Sequence, residues 1–121
     1  MNKFAQKAKQ VTEGGDNLFA NRTRIKMENL IAAYPNGVLV TEFRKLKGPK
    51  GDFWLVGFAE DPACCFSATS VVEDILNSWI DGYETVAAAS DDLKKNGGCK
   101  LKLYYKTGKS GNQYVAVDVI G

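Results

Sequence analysis

Apolar and polar positions along the chain follow two different periods. Residues 99–106 alternate: Leu101, Leu103 and Tyr105 share one side, and Lys100, Lys102, Tyr104 and Lys106 the other. Successive strand side chains point to opposite faces, so this pattern predicts a half-buried strand. Residues 113–119 alternate as well, with Val115, Val117 and Val119 inward. The polar, glycine-bearing stretch 107–112 between them reads as a hairpin loop. Upstream, 38–46 and 52–59 are rich in β-branched and aromatic residues and flank Gly48-Pro49-Lys50-Gly51, a second hairpin. Gly57 within the second run predicts a bulge or a sharp bend. Asp61-Pro62 ends that run, and 64–69 reads as a short third strand.

The helical period appears downstream. Val72, Ile75, Leu76, Trp79, Ile80 and Tyr83 share one helical face, behind Ser70-Val71-Val72-Glu73, which fits a capping box. A second helical piece spans 85–95 and stops at Asn96-Gly97-Gly98. Residues 27–34 predict a short helix ending at Pro35-Asn36-Gly37. Residues 1–26, polar and interrupted at Gly14-Gly15, read as a basic, partly flexible arm, leaving 27–121 as a single domain. From residue 38 the order is three strands, a helix and two strands. This predicts a mostly-β α+β fold, a five-stranded barrel of the OB type with the helix between its third and fourth strands. An open α+β sandwich is the competing architecture.

Length and composition fit that size: 121 residues, 45% hydrophobic, with no apolar run long enough to span a membrane. The positive start, Met1 to Lys7, has no apolar stretch behind it, which argues against a secretory signal and for a cytoplasmic protein. Without such a signal, the sequon Asn21-Arg22-Thr23 carries no weight. The chain has no histidine and three cysteines, Cys64, Cys65 and Cys99, without a CxxC pair. That set cannot make a standard closed zinc site, and it excludes serine–histidine and cysteine–histidine nucleophile systems within one chain. No cofactor or metal is expected, and the chain reads as non-enzymatic. The cysteines read as small buried hydrophobes in a reducing compartment.

Charge changes the picture more than composition does. The net charge is +2, yet residues 58–92 carry eight acidic groups and no lysine or arginine. Residues 1–26 stand at +4, 27–57 at +1 and 93–121 at +5. If these segments fold onto different faces, a polyanion can meet the basic one although the whole is nearly neutral. The candidate nucleic-acid-binding residues are Lys100, Lys102, Tyr104 and Lys106 on the fourth barrel strand, with Arg44, Lys45 and Lys47 ending the first. Lys50 and Lys109 lie in the two hairpin loops, which in an OB barrel flank the groove that holds extended strands. Single strands need cations for phosphates and rings for bases to stack on. Phe43, Phe53, Trp54, Tyr104 and Tyr114 lie near those cations. Phe53 and Trp54 point to opposite sides, and Trp54 is expected outward as the stacking ring, while Trp79 belongs to the core.

Two other motifs carry no chemistry. Gly108-Lys109-Ser110 suggests a phosphate loop, but position 103 is Leu where that pattern needs glycine, and a strand follows instead of a helix. The acidic pairs Glu73-Asp74 and Asp91-Asp92 match no calcium-loop spacing and read as solvated helix surface.

The runs Tyr34-Pro35-Asn36-Gly37-Val38, Phe58-Ala59-Glu60-Asp61-Pro62 and Lys106-Thr107-Gly108-Lys109-Ser110-Gly111-Asn112 resemble small OB-type single-stranded DNA-binding proteins of bacteriophages and prophages. The resemblance implies a phage replication or recombination accessory that coats single strands in the bacterial cytoplasm as a homo-oligomer. Many bacterial single-strand binders recruit partners through an acidic tail. This chain ends Val117-Asp118-Val119-Ile120-Gly121, so the acidic 58–92 region is expected to meet replication or recombination proteins instead. The alternative expectation is a non-catalytic protein-interaction module, for example a phage protein that binds a host factor.

Overall fold

The computed structural model describes residues 19–121. The arm expected over 1–26 therefore lies mostly outside the described residues. Its last part contains β1 (Thr23–Arg24). Then come α1 (Met27–Ala33), β2 (Val38–Gly48), β3 (Gly51–Phe58) and β4 (Cys64–Ser67). Helices α2 (Ser70–Ile80) and α3 (Val86–Lys95) precede β5 (Cys99–Thr107) and β6 (Gln113–Val119). The result is a mostly-β α+β fold whose six strands form one curled, half-barrel sheet in the order β1-β4-β3-β2-β5-β6. The expected count of five strands was one short. Strand β1 pairs in parallel with β4, Thr23 beside Cys64 and Arg24 beside Cys65; every other neighbour pair is antiparallel.

The core lies on the inner face of the sheet. Val38, Val40, Phe43, Trp54, Val56, Phe58, Phe66, Leu101 and Leu103 are buried there, closed over by Leu30 of α1 and by Val72 and Leu76 of α2. The Phe43 ring stands 6.0 Å from Trp54 and 5.9 Å from Trp79, which puts Trp79 against the core as its helical spacing predicts.

A bulge in β2 decides which side chains join that core. Val40 pairs with Phe58 and Glu42 with Gly57, so Thr41 is an extra residue on β2. Val38 and Val40 face in before the bulge and Phe43 after it. Glu42 is turned to the outer face, where Arg22 pairs with it across Gly57. A Cβ on Gly57 would stand 2.8 Å from the Glu42 carboxylate and closer still to the Arg22 guanidinium. The irregularity expected at Gly57 thus sits on the opposing strand, and Gly57 is the gap that admits the ion pair.

Strands β2 and β5 pair only over residues 38–40 and 99–101. Beyond that, α3 seals the freed edge of β2: the buried Phe43 N–H donates to Ser90 Oγ at 3.0 Å. Helix α3 starts as expected, with Thr85 Oγ1 accepting from Ala88 N–H at 3.0 Å. It ends through Gly98, φ +83°, whose N–H bonds Leu93 C=O and where a Cβ would lie 2.6 Å from Val40 C=O. The capping box expected at Ser70 does not form. Thr69 is the N-cap of α2, its hydroxyl is buried without a partner, and Ser70 is the first helical residue.

Candidate nucleic-acid interface

Burial of Leu101 and Leu103 fixes the direction of every other side chain on β5. Lys100, Lys102, Tyr104 and Lys106 consequently share the outer face, as their alternation requires. Alternate residues of a strand are about 6.8 Å apart, so three lysines line a path that an extended phosphate backbone can follow. The register of β6 completes the surface: Tyr114 lies opposite Lys106, Ala116 opposite Tyr104, and Asp118 opposite Lys102. The Tyr104 hydroxyl donates to the Asp118 carboxylate at 3.2 Å, which holds that ring along the strip. Tyr114 is 47% exposed, the most open ring on the strip. Lys109 extends the strip at the tip of the 107–112 loop, which closes with Gly108 N–H donating to Asn112 C=O at 2.8 Å. A strand follows this loop, as expected of a hairpin turn.

The other expected cations lie elsewhere. Lys45 pairs with Trp54 and Lys47 with Asp52, on the face that carries Phe43. The Lys45 ammonium stands 5.5 Å from the Trp54 ring centroid and 3.9 Å from Asp52, a partly exposed arrangement. Lys50 is exposed at the tip of the β2–β3 hairpin. Because β5 runs antiparallel to β2 and pairs only with its start, the two hairpin tips leave the shared segment in opposite directions. The lysines therefore form two groups: Lys100, Lys102, Lys106 and Lys109, and separately Lys45, Lys47 and Lys50.

Two expected site residues are corrected. Trp54 does not face outward: it is 3% exposed and packs against Phe43, because it alternates along β3 with Val56 and Phe58, which face the core. Phe53 is the outward member of the pair, covered by the Arg24 guanidinium at 5.2 Å from its ring. Arg44 is 6% exposed and its Nη1 donates to Phe43 C=O at 2.8 Å, so it is a buried structural group, not a strand-end cation. Phe43, also placed near the cations, is fully buried. The contacts of Arg22 with Glu42 and of Arg24 with Phe53 on the outer face escaped sequence reading; Gly57 was the one local sign of an irregularity there.

The thiols are not poised for chemistry. The hydrogen bond from Cys64 Sγ to Asp61, at 3.2 Å, and then burial push the Cys64 pKa above the ordinary thiol value. Burial raises Cys65 and Cys99 as well. All three therefore stay protonated at neutral pH. Among the described residues, no group of three acidic or cysteine side chains could hold a metal ion, and no helix is long and apolar enough to cross a membrane. No protein-family model, curated protein or solved structure matches this chain.

Proposed function

We propose that the protein binds single-stranded DNA with little sequence preference, through the outer face of β5 and β6. The observation that carries this reading is the strip Lys100, Lys102, Tyr104 and Lys106, in register with Tyr114. It supplies phosphate contacts and stackable rings on one surface, the two things a sequence-tolerant single-strand binder needs. The sheet order supports the OB-type reading. The run β4-β3-β2-β5-β6 is the neighbour order of such a barrel opened between its third and fifth strands. Strand β1 lies at the place where closure would otherwise occur. A phage replication or recombination role follows from the resemblance described above.

A second reading rests on α2, α3 and their connection, where Asp74, Asp81, Glu84 and Asp91 are exposed on the segment that lacks lysine and arginine until Lys94. That surface suits a basic partner protein, whether or not DNA is bound.

Both tryptophans pack with the core, so a labelled oligothymidine, followed by fluorescence anisotropy, is the suitable probe. We expect saturable binding at low salt, weak binding to duplex, and affinity that falls with salt. Lys102→Ala with Lys106→Ala should lower affinity at least about tenfold and reduce the slope of log K against log salt by roughly 0.7 per lysine. Wild-type protein that ignores the oligonucleotide at low salt would leave the protein-interaction reading. A double variant that binds as well as wild type would remove the β5 assignment.

A further inference from the structure

The two edges of the sheet differ. At one, β1 is only two residues long, a common way of leaving little backbone to pair with. At the other, β6 runs seven residues with β5 on one side and, among the described residues, no strand on the other. Ile120 N–H donates to Lys100 C=O at 2.8 Å. Antiparallel ladders alternate, so Gln113, Val115, Val117 and Val119 turn their N–H and C=O groups away from β5. The strand, QYVAVDV, has no proline, lysine or bulge to blunt this edge. Among the described residues, four of the six exposed large hydrophobics, Tyr105, Tyr114, Val119 and Ile120, lie on β5, β6 or the residue after them.

We infer that β6 pairs antiparallel with β6 of a second copy, about a two-fold axis at Ala116. The occupant is a second copy because the strand complements itself in that register. Full overlap sets Val115 against Val117 of the other copy, and Gln113 against Val119, each pair being residues whose backbone groups point outward. On the outer face Tyr114 meets Asp118 across the axis, within reach of a hydroxyl–carboxylate hydrogen bond, and Ala116 meets itself with no bulk to clash. The two aspartates do not oppose each other, as they would if the axis passed through Asp118. An axis normal to the sheet keeps both outer faces on one side. The pairing stands without the nucleic-acid reading; where that reading holds, it joins two lysine strips into one continuous surface.

The test needs no nucleic acid. Light scattering after size exclusion should give the full chain twice its 13.2 kDa mass. Val117→Pro removes an outward donor without touching the β5 ladder, and should raise the dimer dissociation constant at least about tenfold, with circular dichroism confirming the fold. Ala116→Cys should form an intermolecular disulfide under mild oxidant, beyond any seen in wild type, whereas Tyr114→Cys should not, since Asp118 and not a second cysteine faces it. A wild-type monomer up to submillimolar concentration would overturn the inference. So would a dimer that survives Val117→Pro and is not crosslinked by Ala116→Cys. If Val117→Pro fails to fold, the cysteine pair decides alone.

Discussion

Glu42 is the residue on which opposing effects meet most visibly. Burial pushes its carboxyl pKa up. Hydrogen bonds from Thr41 and Arg22, the Arg22 charge and the more distant Lys94 outweigh burial, and the net shift is downward. A carboxylate whose folded pKa is depressed contributes stability above its unfolded value, and that contribution is lost as pH falls through the folded value. The window therefore starts near 4.5, the ordinary glutamate value, and extends below it. Glu42→Gln leaves Arg22, already carrying one buried unpaired nitrogen, without its counter-charge. We expect a loss of about 3 kcal/mol at neutral pH by urea denaturation. The gap between wild type and variant should narrow on acidification below that starting point. A gap constant with pH would mean that Arg22 and Glu42 are not coupled in this way. None of this was legible locally: Arg22 and Glu42 are 20 residues apart, and only Gly57 marked the place where they meet.

At the scale of elements, what the sequence showed and what it hid divide by range. The β5–β6 hairpin was legible because strict alternation, a polar loop and a second alternating run all lie within 21 residues, and β6 has the bounds its pattern suggests. Helix α3 was legible for the same reason, with Thr85 and the Asn96-Gly97-Gly98 stop marking both ends. Strand β1 was not, since two residues pairing in parallel with a strand 41 positions away leave no period to detect. Alternation put Phe53 and Trp54 on opposite sides but could not say which side was the core, because both sides of β3 carry large apolar residues and only packing against distant elements settles it. The placement of the candidate residues divides likewise: Lys100, Lys102, Tyr104 and Lys106 share one face as their alternation suggests, while Arg44 and Trp54 depended on long-range packing. Sealing of the β2 edge by α3 is equally long-range and gives a test. Ser90→Ala deprives the buried Phe43 N–H of its acceptor, and an unpaired buried donor costs about 1–3 kcal/mol. We expect a midpoint shift of that size in chemical denaturation. If Ser90→Ala is neutral, the N–H has another partner and α3 is held by apolar contact alone.

For the whole molecule, the sheet sets most acidic helical groups apart from the β5 lysines, although Lys45 and Lys47 lie on the inner face and Lys94 and Lys95 end α3. Acidic groups cluster on α2, on the 81–85 connection and on α3, with α2 packed over the inner face, while Lys100, Lys102 and Lys106 project from the outer face. Net charge therefore says little about which anion the protein meets; placement decides. Asp74→Lys with Glu84→Lys, both exposed, raises the net charge of +2 to +6, two units per reversal. Lys102→Glu with Lys106→Glu lowers it to −2. If only the total mattered, the two variants would move oligothymidine affinity by similar factors in opposite directions. At physiological ionic strength the Debye length is about 8 Å, so charges across the sheet are largely screened from a strand lying on its outer face. We expect the lysine reversals to cost well over tenfold, since each removes a phosphate contact and adds a repulsion. The acidic-side reversals should change affinity by no more than about twofold at that salt, with a larger gain only at low salt where screening lengthens. A large gain at physiological salt would instead place the strand near the helices, and would move the candidate interface from β5 to the opposite side of the molecule.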